Sequence, residues 1–251
     1  MRGRHFSVYV AILLALLLTC SALGAGDVAL DKDPNLVGWW KFDEMKGKIA
    51  TDASPHQRNA ALKGALSFEK NSAPGKAGKA ITLDGKDAFI EVTRYKGISG
   101  TRPRTIAVWI KTTRPRGQII SWGTKDFGKM CTVSFIRGRI GLTPHGGYFY
   151  MNPETHDGKW HHIAVVVQEA ESPNLHDDVT LYLDGTIAEI HDIGLLDLWP
   201  LETGNDLNVR MGRGFEGSLD DLRLYDRALS DEEIAVLFQL KSNRPVPKSQ
   251  F

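Results

Sequence analysis

Two stretches of the 251-residue chain carry the side chains best suited to gripping a polyhydroxylated ligand. The first, HGGYFYMNPETH (145–156), sets His145, Tyr148, Tyr150 and Asn152 in a glycine-loosened setting. Tyr148 and Tyr150 share a face if this stretch is extended, because strand side chains alternate. The second, LLDLWPLETGNDLN (195–208), places Trp199 before Pro200, with Asn205 and Asp206 downstream. Aromatic faces stack on sugar rings, and amide, carboxylate and backbone groups fix the hydroxyls. The same rings could instead cap an apolar core, so both readings stand at this point.

Reactive chemistry is harder to find. Cleaving a glycosidic bond takes two carboxylates facing it, ~5–5.5 Å apart in a retaining enzyme. The richest acidic run is EGSLDD (216–221), where Asp220 and Asp221 are consecutive and are expected to leave opposite faces of a strand. Glu169 and Glu171 alternate, but they flank Ser172-Pro173 in a polar loop. No Gly-x-Ser-x-Gly elbow occurs. His161 and His162 are adjacent on a strand-like run, a poor geometry for a shared metal. Cys131 lies in CTVSFI, which reads as a buried thiol rather than a reactive one. These patterns predict a binding protein and no catalytic residues.

The elements that must position these residues are short strands. Runs rich in Val, Ile, Thr, Tyr and Trp recur at 38–42, 80–83, 89–92, 105–112, 118–122 and 132–136. They continue at 140–143, 161–168, 179–183, 188–193, 207–211 and 217–225. In TIAVWIKT (105–112), Ile106, Val108 and Ile110 fall on one face, and Ala107 and Trp109 on the other. The pairs Asp84-Gly85, Asp157-Gly158 and Asp184-Gly185 are hairpin signals. One helix is predicted over 231–240: Ser230 and Glu233 form a capping box, and Ile234, Leu237 and Phe238 repeat at helical spacing. Many strands, frequent turns and one short C-terminal helix predict an all-β, two-sheet antiparallel sandwich.

The first residues predict export. A basic cluster (Arg2, Arg4, His5) precedes the apolar run Val8–Leu18, and small residues follow to Ala25. That is the layout of a signal peptide, expected over 1–25. The apolar run is well short of the ~20 residues of a membrane span, and no later run approaches that length. Residues 26–35 are expected to be a short linker, 36–240 one domain, and 241–251, with two prolines, a disordered tail. Cys131 is then the lone cysteine of the exported chain, so no internal disulfide is expected. The 31 basic residues balance 30 acidic ones, and no basic stripe points to nucleic acid.

Several segments, in order, resemble one family. They are LVGWWKFDE (36–44), TDASPHQRNAALKG (51–64), GKAGKAITLDGKDAFIEV (75–92), TIAVWIKTT (105–113) and IISWG (119–123). DGKWHHIAVVV (157–167), VTLYLDGT (179–186) and FEGSLDDLRLYDRALSDEEI (215–234) complete the set. Together they are similar to a laminin-G-like jelly roll of the concanavalin A-like lectin/glucanase superfamily. The resemblance implies the sandwich, with 75–92 as an edge hairpin. It also implies a calcium ion tying the first strand to the last, with Asp43 and Asp220 at the matching places. The Glu-x-Asp-x-Glu strings of the related glucanases are missing. The function it implies is a secreted, non-catalytic module for a polysaccharide, a glycoprotein, or a cell-surface or matrix protein. A glycoside hydrolase or lyase and a purely structural domain are the alternatives.

Overall fold

The computed structural model describes residues 30–191 and 196–239. The expected leader and tail lie outside the described residues. The strands in the first half are β1 (Leu36–Trp40), β2 (Ile49–Ala50), β3 (Ala60–Lys63), β4 (Ser72–Pro74), β5 (Lys79–Asp84), β6 (Phe89–Val92), β7 (Arg104–Lys111) and β8 (Gln118–Gly123). Then come β9 (Met130–Ile136), β10 (Arg139–Thr143), β11 (Phe149–Tyr150), β12 (Trp160–Val167), β13 (Val179–Leu183), β14 (Thr186–Ile187), β15 (Leu207–Met211) and β16 (Glu216–Tyr225). Among the elements wholly within the described residues are two helices, α1 (Phe68–Asn71) and α2 (Asp231–Gln239).

The strands form two antiparallel sheets. The first has the order β14-β13-β12-β7-β16-β5-β4, with β1 also paired to β16. The second has the order β11-β10-β9-β8-β15-β6-β3-β2. Their inner faces share one apolar core, to which β7 contributes Ile106, Val108 and Ile110. The other face of β7 carries Ala107 into a second core. There Leu30, Leu36, Trp39, Tyr182 and Tyr225 pack under Ile234 and Leu237 of α2. Around β1 the first sheet is therefore covered on both sides, which is why β1 is buried at every residue. The capping box forms as expected: Glu233 N–H donates to Ser230 Oγ at 3.3 Å, and Ser230 N–H to Glu233 Oε2 at 2.8 Å.

Four expectations need correction. Of the three Asp-Gly pairs, only Asp184-Gly185 closes a hairpin, joining β13 to β14. A two-residue type I′ turn needs positive φ at both central residues. Asp184 (51°) and Gly185 (83°) meet that, whereas at the other two pairs only the glycine does. Asp84-Gly85 and Asp157-Gly158 instead carry the chain from one sheet to the other, so residues 75–92 are not a hairpin.

Second, the strand expected at 188–193 is not continuous over its described residues, 188–191. Ala188 N–H still bonds Leu181 on β13, but Ile190 bridges Met151 and His191 N–H bonds Tyr150. The segment crosses between sheet edges, so neither sheet provides it a full ladder. Third, the described part of the expected linker is built into the fold. Leu30 is buried, Asp31 pairs with buried Arg223, and Asp33 pairs with Arg227.

Fourth, Asp220 and Asp221 do not face opposite ways. The register of β16 against β7 shifts between Asp220 and Arg223, and Asp221 takes a φ of 48°. A bulge of this kind inserts one extra residue and re-aims a side chain. Leu219 and Leu222 both reach the inner core, and the two aspartates between them both turn outward.

Candidate functional site

Trp199 emerges in the loop after the crossing segment and is 44% exposed. It stacks on Phe127, with centroids 5.4 Å apart and 15° between the planes. Phe127, itself 55% exposed, also stacks on His145 at 5.4 Å and 25°. Three loops supply the three rings, and backbone bonds fasten them together. Gly128 N–H donates to His145 O at 3.0 Å, and Glu202 N–H donates to Gly128 O at 3.0 Å. The approach depends on Gly146, where a Cβ would fall 2.2 Å from the Phe127 ring. Leu198, 59% exposed, extends the apolar surface. Exposed rings of this kind, held rigidly, are the usual material of a recognition patch.

The other expected contacts divide. Tyr148 and Tyr150 do share a side, with ring centroids 6.0 Å apart. Tyr148 is half-buried, and its hydroxyl accepts from Arg137 Nη2 at 3.0 Å. Tyr150 is buried against His191 and offers no face to a ligand. Its strand, β11, forms the edge of the second sheet, and Tyr150 fills space there instead of opening it. Asn152 is half-buried, with its N–H bonded to Glu189 O at 2.7 Å. Phe127 was not among the expected residues. Its loop, KDFGK, carries the same cue as Trp199, an aromatic set among turn residues.

Asp43 and Asp220 meet around the loop between β4 and β5. Asp43 Oδ1 accepts from Lys79 N–H at 2.8 Å. Asp220 Oδ2 accepts from Lys76 N–H at 2.7 Å and Ala77 N–H at 2.9 Å. Gly75 and Gly78 make room, since a Cβ would lie 2.6 Å from the Asp220 carboxylate and 2.3 Å from that of Asp43. Asp220 Oδ1 is buried and has no hydrogen-bond partner among the described residues. Burial, then the charges of Asp221 and Asp43, push its carboxyl up to about 8. A buried, half-satisfied carboxylate beside a second one fits a hard cation. Among the described residues, however, no group of three or more His, Cys, Asp or Glu side chains could hold a metal. Most of a shell of 6–8 oxygens would then be backbone and water.

The remaining candidates are structural. His161 bridges Asp184 (2.9 Å) and Asp157 (3.1 Å), linking two Asp-Gly turns. His162 is buried against Trp109, and burial lowers its pKa to about 4. Cys131 is buried, and burial pushes its thiol up to about 11.

Similarity to known proteins concerns this same fold. Domain 4 of AbnA, an extracellular arabinanase of Geobacillus stearothermophilus solved with arabinotriose, aligns with a TM-score of 0.59 at 17% identity. That match covers 82% of this chain and 98% of the domain. The binding domain of Paraclostridial Mosquitocidal Protein 1 aligns with a TM-score of 0.55 at 17% identity, over 83% of this chain and 52% of that one. The receptor binding domain of botulinum neurotoxin D aligns with a TM-score of 0.51 at 11% identity, over 86% and 53%. This chain thus spans about half the length of the two toxin domains. No curated protein matches the sequence. A laminin G family model matches residues 84–235, which carry β6 to β16 and the first half of α2. With that match, the chain belongs to the concanavalin A-like lectin/glucanases superfamily.

Proposed function

We propose that this chain is an exported, non-catalytic carbohydrate-binding module whose contact surface is the Trp199–Phe127–His145 stack with Tyr148 alongside. The exposed, pre-stacked pair Trp199 and Phe127 carries the reading. Both rings face water without a ligand, and a sugar ring laid against them would relieve that hydration cost. Similarity to an arabinanase domain solved with arabinotriose agrees with a glycan ligand. Export rests on the basic, apolar and small-residue order of the first residues, and no helix among those described is long and apolar enough to cross a membrane.

The non-catalytic part rests on how the acids are used. Asp220 lies beneath the 75–79 loop, and Asp221 is engaged by Trp39 and Arg223, so neither opens to a substrate. A calcium ion at Asp43 and Asp220 belongs to the same proposal. It would be held by buried Asp220 and half-buried Asp43 and tie the end of β1 to β16. A glycan array probed with the exported chain tests the module directly, and reducing-sugar release from a polysaccharide panel tests the enzyme alternative. Absence of any glycan signal, or sugar release that tracks the protein, would refute the proposal.

A further inference from the structure

The outer face of the first sheet carries a polar row remote in sequence from the aromatic stack. Trp160 lies opposite Lys111, Lys111 opposite Ser218, and Ser218 opposite Thr82. Directly opposed residues of antiparallel strands share a face. The row therefore crosses four strands, roughly 14 Å at the usual strand spacing. A groove of about 660 Å³ lies over it, lined by Thr82, Lys86, Lys111, Ser218 and Glu216 among others. Gly217 lets β16 lie close against β7 here, since a Cβ would meet Lys111 O at 2.4 Å. The Thr82 and Ser218 hydroxyls sit 2.9 Å apart, a donor-acceptor pair facing the groove. Lys86 also lines a neighbouring groove of about 550 Å³, with Gln118 and Arg213.

The charge here leans positive although the whole chain is nearly balanced. The loops at this end present Lys86, Lys111, Arg114, Arg116 and Arg213 against Asp84, Asp87 and Glu216. Glu216 is already held by Arg114 and Arg116. Beside Gly158, Asp157 and Lys159 pair with each other. Lys86, Lys111 and Arg213 are exposed and, like the exposed Asp84 and Asp87, form no ion pair among the described residues, which leaves three unpaired cations to two acids. A surface with an excess of cations along it concentrates anions.

We infer that this groove is a second carbohydrate subsite, one that takes an acidic polysaccharide whose rings carry carboxylate or sulfate. Lys86 and Lys111 meet the anionic groups, and Thr82 and Ser218 meet ring hydroxyls. Trp160, half-buried, stands at the β12 end of the row, opposite Lys111. The inference rests on the reading of the chain as a carbohydrate-binding module but uses none of the residues of the aromatic stack.

Native gels cast with polygalacturonate, dextran sulfate or neutral dextran test it. Mobility is compared for the parent chain, the double variant K86A/K111A and W199A. The acidic polymers should retard the parent more than dextran does, and added salt should weaken the effect. K86A/K111A should bind them roughly three- to tenfold more weakly, while W199A keeps the parent's retardation. Whether polygalacturonate or dextran sulfate retards more distinguishes carboxylate from sulfate. Parent-like retardation of K86A/K111A would overturn the inference. So would equal retardation by dextran, or by duplex DNA at the same salt, the latter marking a non-specific cation surface. Loss of all binding in W199A alone would refute the groove and leave the aromatic site standing.

Discussion

Asp220 and Asp221 follow one another in β16 yet face the same side of their sheet, because Asp221 occupies a bulge at a φ of 48°. The arrangement joins two buried networks. Asp220 holds the 75–79 loop, and Asp221 accepts from the Trp39 indole and from Arg223. Trp39 lies between cations, with Lys41 4.0 Å and Arg223 4.2 Å from its ring.

Asp221→Ala should therefore be costly. Arg223 is 1% exposed and Asp221 6%, so the substitution removes the buried partner of a buried guanidinium, leaving it only the more exposed Asp31, and takes the acceptor from the Trp39 indole. Removing one partner of a buried pair costs about 3–5 kcal/mol. Urea denaturation should show a loss of that order. A loss typical of surface ion pairs would mean that water reaches Arg223.

Asp220 gives the fold a pH dependence that calcium should alter. Its folded pKa, pushed up to about 8 by burial, lies above the unfolded value of 3.8. Between those values the native state keeps a proton that the unfolded chain has lost, so stability falls as pH rises from about 4 to about 8. Asp220→Asn should remove this component. In calcium the carboxylate would be held ionised, raising the melting temperature at neutral pH, and EDTA should reverse the gain in the parent but not in Asp43→Asn/Asp220→Asn. Equal melting in calcium and EDTA removes the ion from the account and leaves the pH component intact.

His162 acts in the opposite direction. Its folded pKa of about 4 lies below the usual 6.5, with burial as the main cause. As pH falls from about 6.5 to about 4, the unfolded chain gains a proton that the native state refuses, and stability is lost. His162→Gln should flatten that part of the melting-temperature profile. An unchanged acid limb in the variant would assign the loss to other groups.

Much of this was legible in the sequence where a side chain's place follows from alternation. The Ile106, Val108, Ile110 face of β7 and the Ser230–Glu233 cap are of that kind. What alternation cannot reveal is a change of phase. The bulge at Asp221 reverses the facing of its neighbour through one backbone dihedral, and nothing in SLDDLRLY marks it. The Asp-Gly pairs fail similarly, since the dipeptide permits a tight turn but does not say which sheet the next strand joins. Trp199 was recognisable from its loop setting, but its partner Phe127 lies 72 positions earlier, and only the fold joins them.

The stack also makes the sharpest functional prediction. Trp199→Ala should weaken glycan binding by about 0.5–1.5 kcal/mol beyond the area lost, the usual worth of aromatic stacking. Trp199 is 44% exposed, so its removal opens no core cavity and should hardly move the melting temperature. A buried ring behaves the other way: Trp109→Ala, at 2% exposure, should cost about 3–5 kcal/mol of stability. Phe127→Ala should resemble Trp199→Ala, because Phe127 stacks on the indole and is itself stacked on His145. Tyr150→Phe, altering a buried ring, should leave binding unchanged. Isothermal titration with a saccharide found on the array, paired with thermal melting of each variant, separates the two roles. If Trp199→Ala melts several degrees lower and binds as the parent does, the stack is a structural cap and the recognition surface lies elsewhere.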